Sequence, residues 1–589
     1  MNDPRTSPIR RLRRDLLALA HYRPGQVLHR ITRQARRSLT SLSPAPLLRR
    51  LARIAQDPPP VRHLECPEGL SRYAQNPEIA SVSRAEDLLR GRYCFLGETR
   101  ELGYRPDWRC QAPDPPSHLW RMNLHYHRFL VDTAAAASSN QKPGDRLLDH
   151  AASLLQDWSD TCVVGDPWTW DSAWNSYAVS SRILNARLAR LLLTAVPGEK
   201  AEILRRRLDS LGASHAAFLM SWLERDLGGN HLLRNAAALI AAGHWFSGPL
   251  AERWGSRGRR LLLGELKGQI LPDGFHEERS PMYHSLILED LLLSSFSPKN
   301  SEALDPSILQ WATTLLAAQR SVLHTDGQIA LFNDAAIGIA APPHSLEILA
   351  QGHGIHAPPP GAGDLASAGY FRFDQDGAVL LFDAGLLGPD HLPAHAHCDA
   401  LSFEYSSDGR RIVVDTGVDR YEAGPERDFQ RSTAAHSTLQ INTLEQAEPF
   451  GSFRMGRRPR VKGRRLDERS VQGEHDGFRP FGFHRRRIEW QGPRGFTWVD
   501  SVEGDQEVPV TVRIGLAPHI EAQILDKKVV MREAGGNRFE LSAPEDGSLS
   551  LSGGVYCERF GKAVPRTVIC WTGSAGRGRG LSFALRPQD

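Results

Sequence analysis

The chain has 589 residues, 41% hydrophobic and 24% charged, too long for one hydrophobic core and ordinary in composition, so two or more globular domains are expected. No stretch approaches the roughly 20 consecutive apolar residues of a membrane-spanning helix. The net charge of +4 hides an asymmetry, because residues 1–56 carry 13 Arg, no Lys and 2 Asp, a net of +11 that leaves −7 on the remainder.

The basic head, residues 1–65, reads as an amphipathic helix with a linker, or as an anchor on an anionic membrane or polymer. Its apolar stretch DLLALA is too short for a secretory signal, which needs about 7–15 apolar residues and a cleavage site. A cytoplasmic or cell-associated location is therefore expected, with the periplasm left open. The seven cysteines are scattered, odd in number and without a CxxC pair, which fits reduced or buried thiols and not a disulfide framework.

From about residue 118 to 335, apolar residues recur at three- and four-residue spacing, as in AWNSYAVSSRILNARLARLLL and LLRNAAALIAAGHWF, and short Gly/Pro/Asp breaks separate them. This predicts paired antiparallel helices. The stretch APPPGAGDLASAG then shifts the composition, and alternation takes over in YFRFDQDGAVLLFDAG, ALSFEYSSDGRRIVVDTG and GFTWVDSVEG. DG, GD and PRG turns between short segments predict antiparallel β-structure. The expected architecture is α+β: a helical domain over 66–360 followed by an antiparallel β-sandwich over 361–589.

Three stretches carry chemistry. In HLPAHAHCDALSFEY, His395, His397 and Asp399 precede an apolar strand. Its hairpin partner RRIVVDTG ends in Asp415, and His436 opens another strand in TAAHSTLQIN. Neutral imidazoles with a carboxylate are a zinc ligand set. Both histidines of H-x-H share a strand face and could hold one metal, and unrelated polar residues at strand ends would read the same. In GGNHLLRN and DGFHEERSPMYHSLILEDLLL, Asn230, His231, Glu277, Tyr283 and His284 stand where helices begin, as cleft residues or as caps. In DPWTWDSAWNSY, Trp168, Trp170 and Trp174 are candidates for stacking on sugar rings or for core packing.

The motifs GNH, SPMYH, HAHCD, VVDTG…Y and R-x-T-x-A-H-S-T, in that order across residues 120–450, resemble the heparinase II/III family of polysaccharide lyases, relatives of alginate lyases with the same two-domain plan. The resemblance implies an incomplete (α/α) toroid followed by antiparallel β-sheets, and cleavage of a uronic-acid polysaccharide by β-elimination. It implies that Asn230 binds the uronate carboxylate beside His231. It makes Tyr283 the catalytic tyrosine, His395 the histidine reaching in from the β domain, and Tyr421 a second tyrosine. It makes His397, Asp415 and His436 ligands of a mainly structural Zn2+, with Asp399 behind a histidine, and Arg431 a substrate-binding candidate.

The residue types suit the reaction. Hydrogen bonding to the uronate carboxylate stabilises the enolate-like charge formed as C5 loses its proton. A base takes that proton, and an acid protonates the oxygen leaving C4. A phenol of pKa about 10 serves as base only if nearby cations favour the phenolate. The basic stretches FRMGRRPRVKGRR and HRRR could steer a polyanion, and no nucleic-acid recognition motif accompanies them. Two rivals stand beside the lyase: a glycoside hydrolase using Asp273 and Glu277, and a non-catalytic binding or assembly factor of an exopolysaccharide pathway.

Overall fold

The computed structural model describes residues 8–63, 65–111, 113–139, 144–296, 305–359, 363–533 and 536–588. Helices run along the chain to Pro343–Gly352 and extended strands begin at Tyr370–Gln375, with one short hairpin, Arg92–Phe95 with Glu98–Glu101, inside the helical part. The helical and β regions therefore follow one another as the periodicity predicts.

The innermost helices are apolar on nearly every side. Gly229–Trp245 and Pro281–Ser295 are buried almost throughout, as expected of helices enclosed by others. Small residues set how closely the helices approach. A Cβ on Gly243 would lie 2.6 Å from Gly255 Cα, and one on Gly258 would lie 2.7 Å from the Ala236 carbonyl oxygen. Helix Pro249–Gln269 thus lies directly on Gly229–Trp245, and any larger residue at these contacts would force the pair apart.

The N-terminal segment forms three helices, α1 (Pro8–Leu19), α2 (Pro24–Leu42) and α3 (Ala45–Gln56). Leu51 and Ile54 of α3 enter the helical core, because Leu47, Leu48, Leu51 and Ile54 share one helix face. The basic head is therefore not one separate unit ending at residue 65, since its third helix belongs to the helical domain.

The β region has three main sheets. Strands Tyr370–Gln375, Ala378–Asp383, Phe403–Ser407 and Arg410–Val413 pair in sequence order. A second four-stranded sheet runs Ser548–Arg559, Lys562–Ala575, Val508–Gly515, Leu439–Ile441, and an eight-stranded sheet includes the meander from Val461–Asp467 to Phe496–Glu503. Among the described residues the strands of these sheets pair antiparallel, and an isolated parallel bridge joins Gly417 and Cys557. The β core also takes in Met282, Tyr283 and Leu286 from the start of a helix of the other domain. This shared packing fixes the two domains against each other where SPMYH meets VVDTG…Y.

Candidate active site

A cleft of about 1740 Å³ lies between the domains, and Asn230, His231, Glu278, Tyr283, His395 and Tyr421 line it. Asn230 opens helix Gly229–Trp245 after two glycines with positive φ, Gly228 (φ 68°) and Gly229 (φ 52°). A Cβ on Gly229 would stand 2.4 Å from Glu278 Oε1, so glycine is needed for both conformation and space. The Asn230 backbone N–H donates to that same oxygen at 3.3 Å. His231 Nδ1 is 3.2 Å from Glu224 Oε2, and its ring lies 4.6 Å from that of Tyr177. Burial alone would raise the Glu224 carboxyl, but His231 and Arg33 outweigh it and hold it below its ordinary value.

Ser280 caps helix Pro281–Ser295 by accepting the Tyr283 backbone N–H at 3.3 Å, which fixes where the tyrosine leaves the helix. The Tyr283 hydroxyl is 3.0 Å from the Tyr421 hydroxyl, and its ring stacks on His395 with centroids 3.8 Å apart. Burial pushes both phenols well above the usual value. Nearby Asp334 raises both further, while the Tyr283 hydroxyl and Arg427 act the other way on Tyr421. Cations therefore do not win at either tyrosine, contrary to the requirement read from the sequence.

His395 is held from both sides, with Nδ1 3.0 Å from Asp334 Oδ2 and Nε2 3.4 Å from Glu278 Oε2. Asp334 also meets His397 Nε2 at 2.8 Å and accepts both terminal nitrogens of Arg427. Its carboxyl is fully buried, which would raise it, yet Arg427 and the two histidines hold it well below the usual range. Glu278, Asp334 and Arg427 were not singled out from the sequence. LFNDAAIG gives Asp334 no spacing signal, and Glu278 stands beside the residue that was chosen, Glu277.

Next to this clamp, one ligand atom each from His397, Asp399 and His436 lies within 4.8 Å of the others, all buried. His397 Nδ1 and His436 Nε2 have no hydrogen-bond partner among the described residues. The opposite nitrogen of each ring meets a carboxylate, Asp334 for His397 and Asp415 for His436 at 2.7 Å. Two orphaned imidazole nitrogens facing a buried carboxylate, each ring oriented from behind by a second carboxylate, fit a divalent metal. Burial, the largest effect, helps push the Asp399 carboxyl up to about 6, a cost that a bound cation would offset. The two aspartates thus exchange the places expected for them: Asp399 stands with the histidines, and Asp415 is committed to orienting His436.

The family descriptions "Heparinase II/III N-terminus" and "Heparinase II/III-like, C-terminal" match residues 98–325 and 357–583. The chain belongs to the heparinase II/III family. Among curated relatives, this family member is 25% identical over 500 residues to FtsZ-localized protein C of Caulobacter vibrioides, covering 79% of this chain and 81% of that protein. It is 28% identical over 242 residues to heparin-sulfate lyase of Pedobacter heparinus, covering 36% of each. It is 24% identical over 475 residues to heparin-sulfate lyase of Bacteroides thetaiotaomicron, covering 70% of this chain and 63% of that one. Heparinase III superposes with a TM-score of 0.66 at 17% identity, over 91% of this chain and 88% of that chain. A mutant of heparan sulfate lyase HepC from Pedobacter heparinus gives 0.59 at 20% identity, over 86% and 82%. At these identities the structures establish the shared fold, a helical toroid followed by a β-sandwich.

In this heparinase II/III chain several other candidates lie away from the cleft. Trp170 is buried against Phe218 and Trp222 and donates its indole N–H to Ser41. Trp174 stacks on His215 and donates to the Cys162 carbonyl. Trp168 is partly buried with Arg109 over its ring at 5.0 Å. All three are packing residues, because neighbouring helices bury the loop that carries them. Arg431 is buried and donates to the carbonyls of Ala396, Gly451 and Arg454, so it ties loops together and does not line the cleft. Of the proposed hydrolase pair, Asp273 accepts from the backbone of Phe275 and Ala368, and neither it nor Glu277 lines the cleft. Within HRRR, His484 and Arg486 are buried around Asp500. Within FRMGRRPRVKGRR, only Phe453 and Arg454 reach the cleft.

Proposed function

We propose that the chain is a polysaccharide lyase that cleaves a uronic-acid-containing anionic polysaccharide by syn β-elimination, with Tyr421 as base and Tyr283 as acid. The 3.0 Å contact between the two hydroxyls, beside His395 and in one cleft with Asn230, carries this reading. Asn230 and His395 bind the uronate carboxylate and stabilise the charge that develops as C5 is deprotonated. Tyr421 is the better base of the two, because its anion is stabilised by the Tyr283 O–H and by Arg427, which lies over its ring at 5.1 Å. The C5–H bond breaks toward Tyr421, the C4–C5 double bond forms, and the C4–O bond breaks as Tyr283 protonates the departing oxygen. A proton passing from Tyr421 to Tyr283 along their hydrogen bond restores the starting state.

Zinc held by His397, Asp399 and His436, when bound, supplies a structural cross-link that fixes the loop carrying His395. No step of the elimination passes through it.

The test is incubation of the purified protein with heparan sulfate, hyaluronan, chondroitin, alginate and bacterial uronate polymers. The expected product is an unsaturated, ultraviolet-absorbing sugar end, lost in Tyr283→Phe. New reducing ends without that absorbance would overturn elimination in favour of hydrolysis. Polymer retention with no product would instead favour a binding factor.

A further inference from the structure

The helices α1 and α2 meet the body of the protein through the wrong face. In an amphipathic helix on a globular surface the apolar stripe packs inward and the charged face meets water. Here Arg14, Arg33 and Arg37 face inward. Arg33 donates to Asp226 at 2.9 Å and to Glu224 at 3.2 Å, and Arg37 reaches Asp171 and the Trp170 carbonyl. Gln26, on the same side of α2, is the residue of that helix that is buried. Arg14 of α1 lies over the Phe450 ring at 4.0 Å.

The opposite face is aliphatic and open. Leu28, Ile31, Leu39 and Leu42 recur at steps of three, eight and three residues along α2 and are 61%, 63%, 66% and 83% exposed. Leu12 and Leu16, one turn apart on α1, are 61% and 56% exposed. Arg13, Arg23 and Arg30 stand exposed on the same two-helix segment, within the stretch of residues 1–56 that carries a net charge of +11.

We infer that the outward faces of α1 and α2 dock on an anionic lipid bilayer, with the leucine and isoleucine stripe entering the headgroup boundary and the surrounding arginines pairing with lipid phosphates. This is interfacial contact, since no helix among the described residues is long and apolar enough to cross a membrane. Charge complementarity selects the occupant. A second copy of the same segment would bring one arginine-rich surface against another. A polyanionic sugar has no use for the stripe, and Arg33 and Arg37, which would greet it, are already bound to carboxylates of the body. A bilayer with acidic headgroups satisfies both the exposed aliphatic surface and the excess positive charge. The inference is independent of the lyase reading, although Tyr22, Gln26, Val27, Arg30 and Ile31 also line the cleft, so its mouth borders the docking face and Ile31 belongs to both.

The experiment is flotation of the full-length protein with vesicles of phosphatidylcholine, alone or mixed with phosphatidylglycerol. The protein is expected to float with the mixed vesicles, less so at high salt, and to remain behind with phosphatidylcholine alone. Leu28→Glu combined with Leu39→Glu is expected to weaken vesicle binding by on the order of tenfold or more. Both positions are solvent-exposed and outside the cleft lining, so the melting temperature and activity on polymer should not move. Failure to float with acidic vesicles would overturn the inference, as would equal flotation with neutral ones. It would also be overturned if the double variant floated like the parent, or if its effect were loss of a dimer seen by sedimentation in lipid-free buffer.

Discussion

His395 and His397, two residues apart, take the two oxygens of one carboxylate, Asp334, at 3.0 and 2.8 Å. They then diverge: His395 stacks on Tyr283 in the cleft, and His397, whose Nδ1 has no hydrogen-bond partner among the described residues, clusters with Asp399 and His436. The shared carboxylate holds both rings in register, so a change at one histidine should leave the other in place. His395→Ala is expected to lose at least about 100-fold in turnover with its zinc content unchanged. His397→Ala is expected to lose the metal, read by elemental analysis, together with thermal stability. Loss of zinc from the His395 variant would show that the two roles are not separate.

The exchange of the two aspartates gives a second test. With Asp399 in the proposed metal cluster and Asp415 behind His436, Asp399→Asn should abolish zinc retention. Asp415→Asn should weaken it by about 10- to 100-fold, the usual effect of removing an orienting carboxylate. Competition with a chelator of known affinity measures both, and the reverse order would restore Asp415 as the ligand.

Burial raises both tyrosines well above about 10, and the direction of the pH profile follows. Tyr283 must carry its proton to act as acid, and its raised value moves loss of that proton beyond pH 10. Tyr421 must be ionised to act as base, and the ionised fraction grows with every increment of pH below its own raised value. Turnover should therefore climb through neutral and mildly alkaline pH with no falling limb before the protein itself unfolds. A bell centred near neutrality, recorded on initial rates with stability checked at each pH, would contradict the tyrosine pair.

Much of this site was legible because its motifs lie at the ends of strongly periodic elements. GNH and SPMYH stand at helix starts, and HAHCD and VVDTG stand at strand ends, so a chain whose helices and strands can be recognised brings those ends toward one cleft. Asp334 and Arg427 were not legible, because their roles depend on three-dimensional pairing across 93 residues and neither lies in a periodic pattern. The tryptophans misled for a related reason. An aromatic cluster in a loop looks the same whether a sugar or a neighbouring helix covers it, and only packing decides.

Asp334 takes His395, His397 and Arg427 on one buried carboxylate, and its removal should cost accordingly. Asp334→Ala leaves the Arg427 guanidinium buried and without the carboxylate that both its terminal nitrogens now meet. Breaking a buried pair from one side costs about 3–5 kcal/mol, so a clear drop in melting temperature is expected, alongside loss of turnover as His395 loses its orientation. Replacing both partners, as Asp334→Leu with Arg427→Met, should recover part of the stability and none of the activity. Restored activity in the double variant would mean that Asp334 serves folding alone.

The tryptophan placement can be tested against the sugar-stacking alternative. Trp174 is enclosed by Trp158, His215 and Phe218, and its indole N–H donates to the Cys162 carbonyl at 2.7 Å. Trp174→Ala opens a large cavity in the helical core and orphans that carbonyl, a loss of about 3–5 kcal/mol. The lowered melting temperature should come with an unchanged KM on whichever polymer the protein cleaves, measured well below the new transition. A stacking platform predicts the opposite, a raised KM with little loss of stability. Trp174→Phe separates the two further, since it keeps an aromatic face for a sugar but forfeits the hydrogen bond and part of the core volume. It should sit between the parent and the alanine variant in stability and equal the parent in KM.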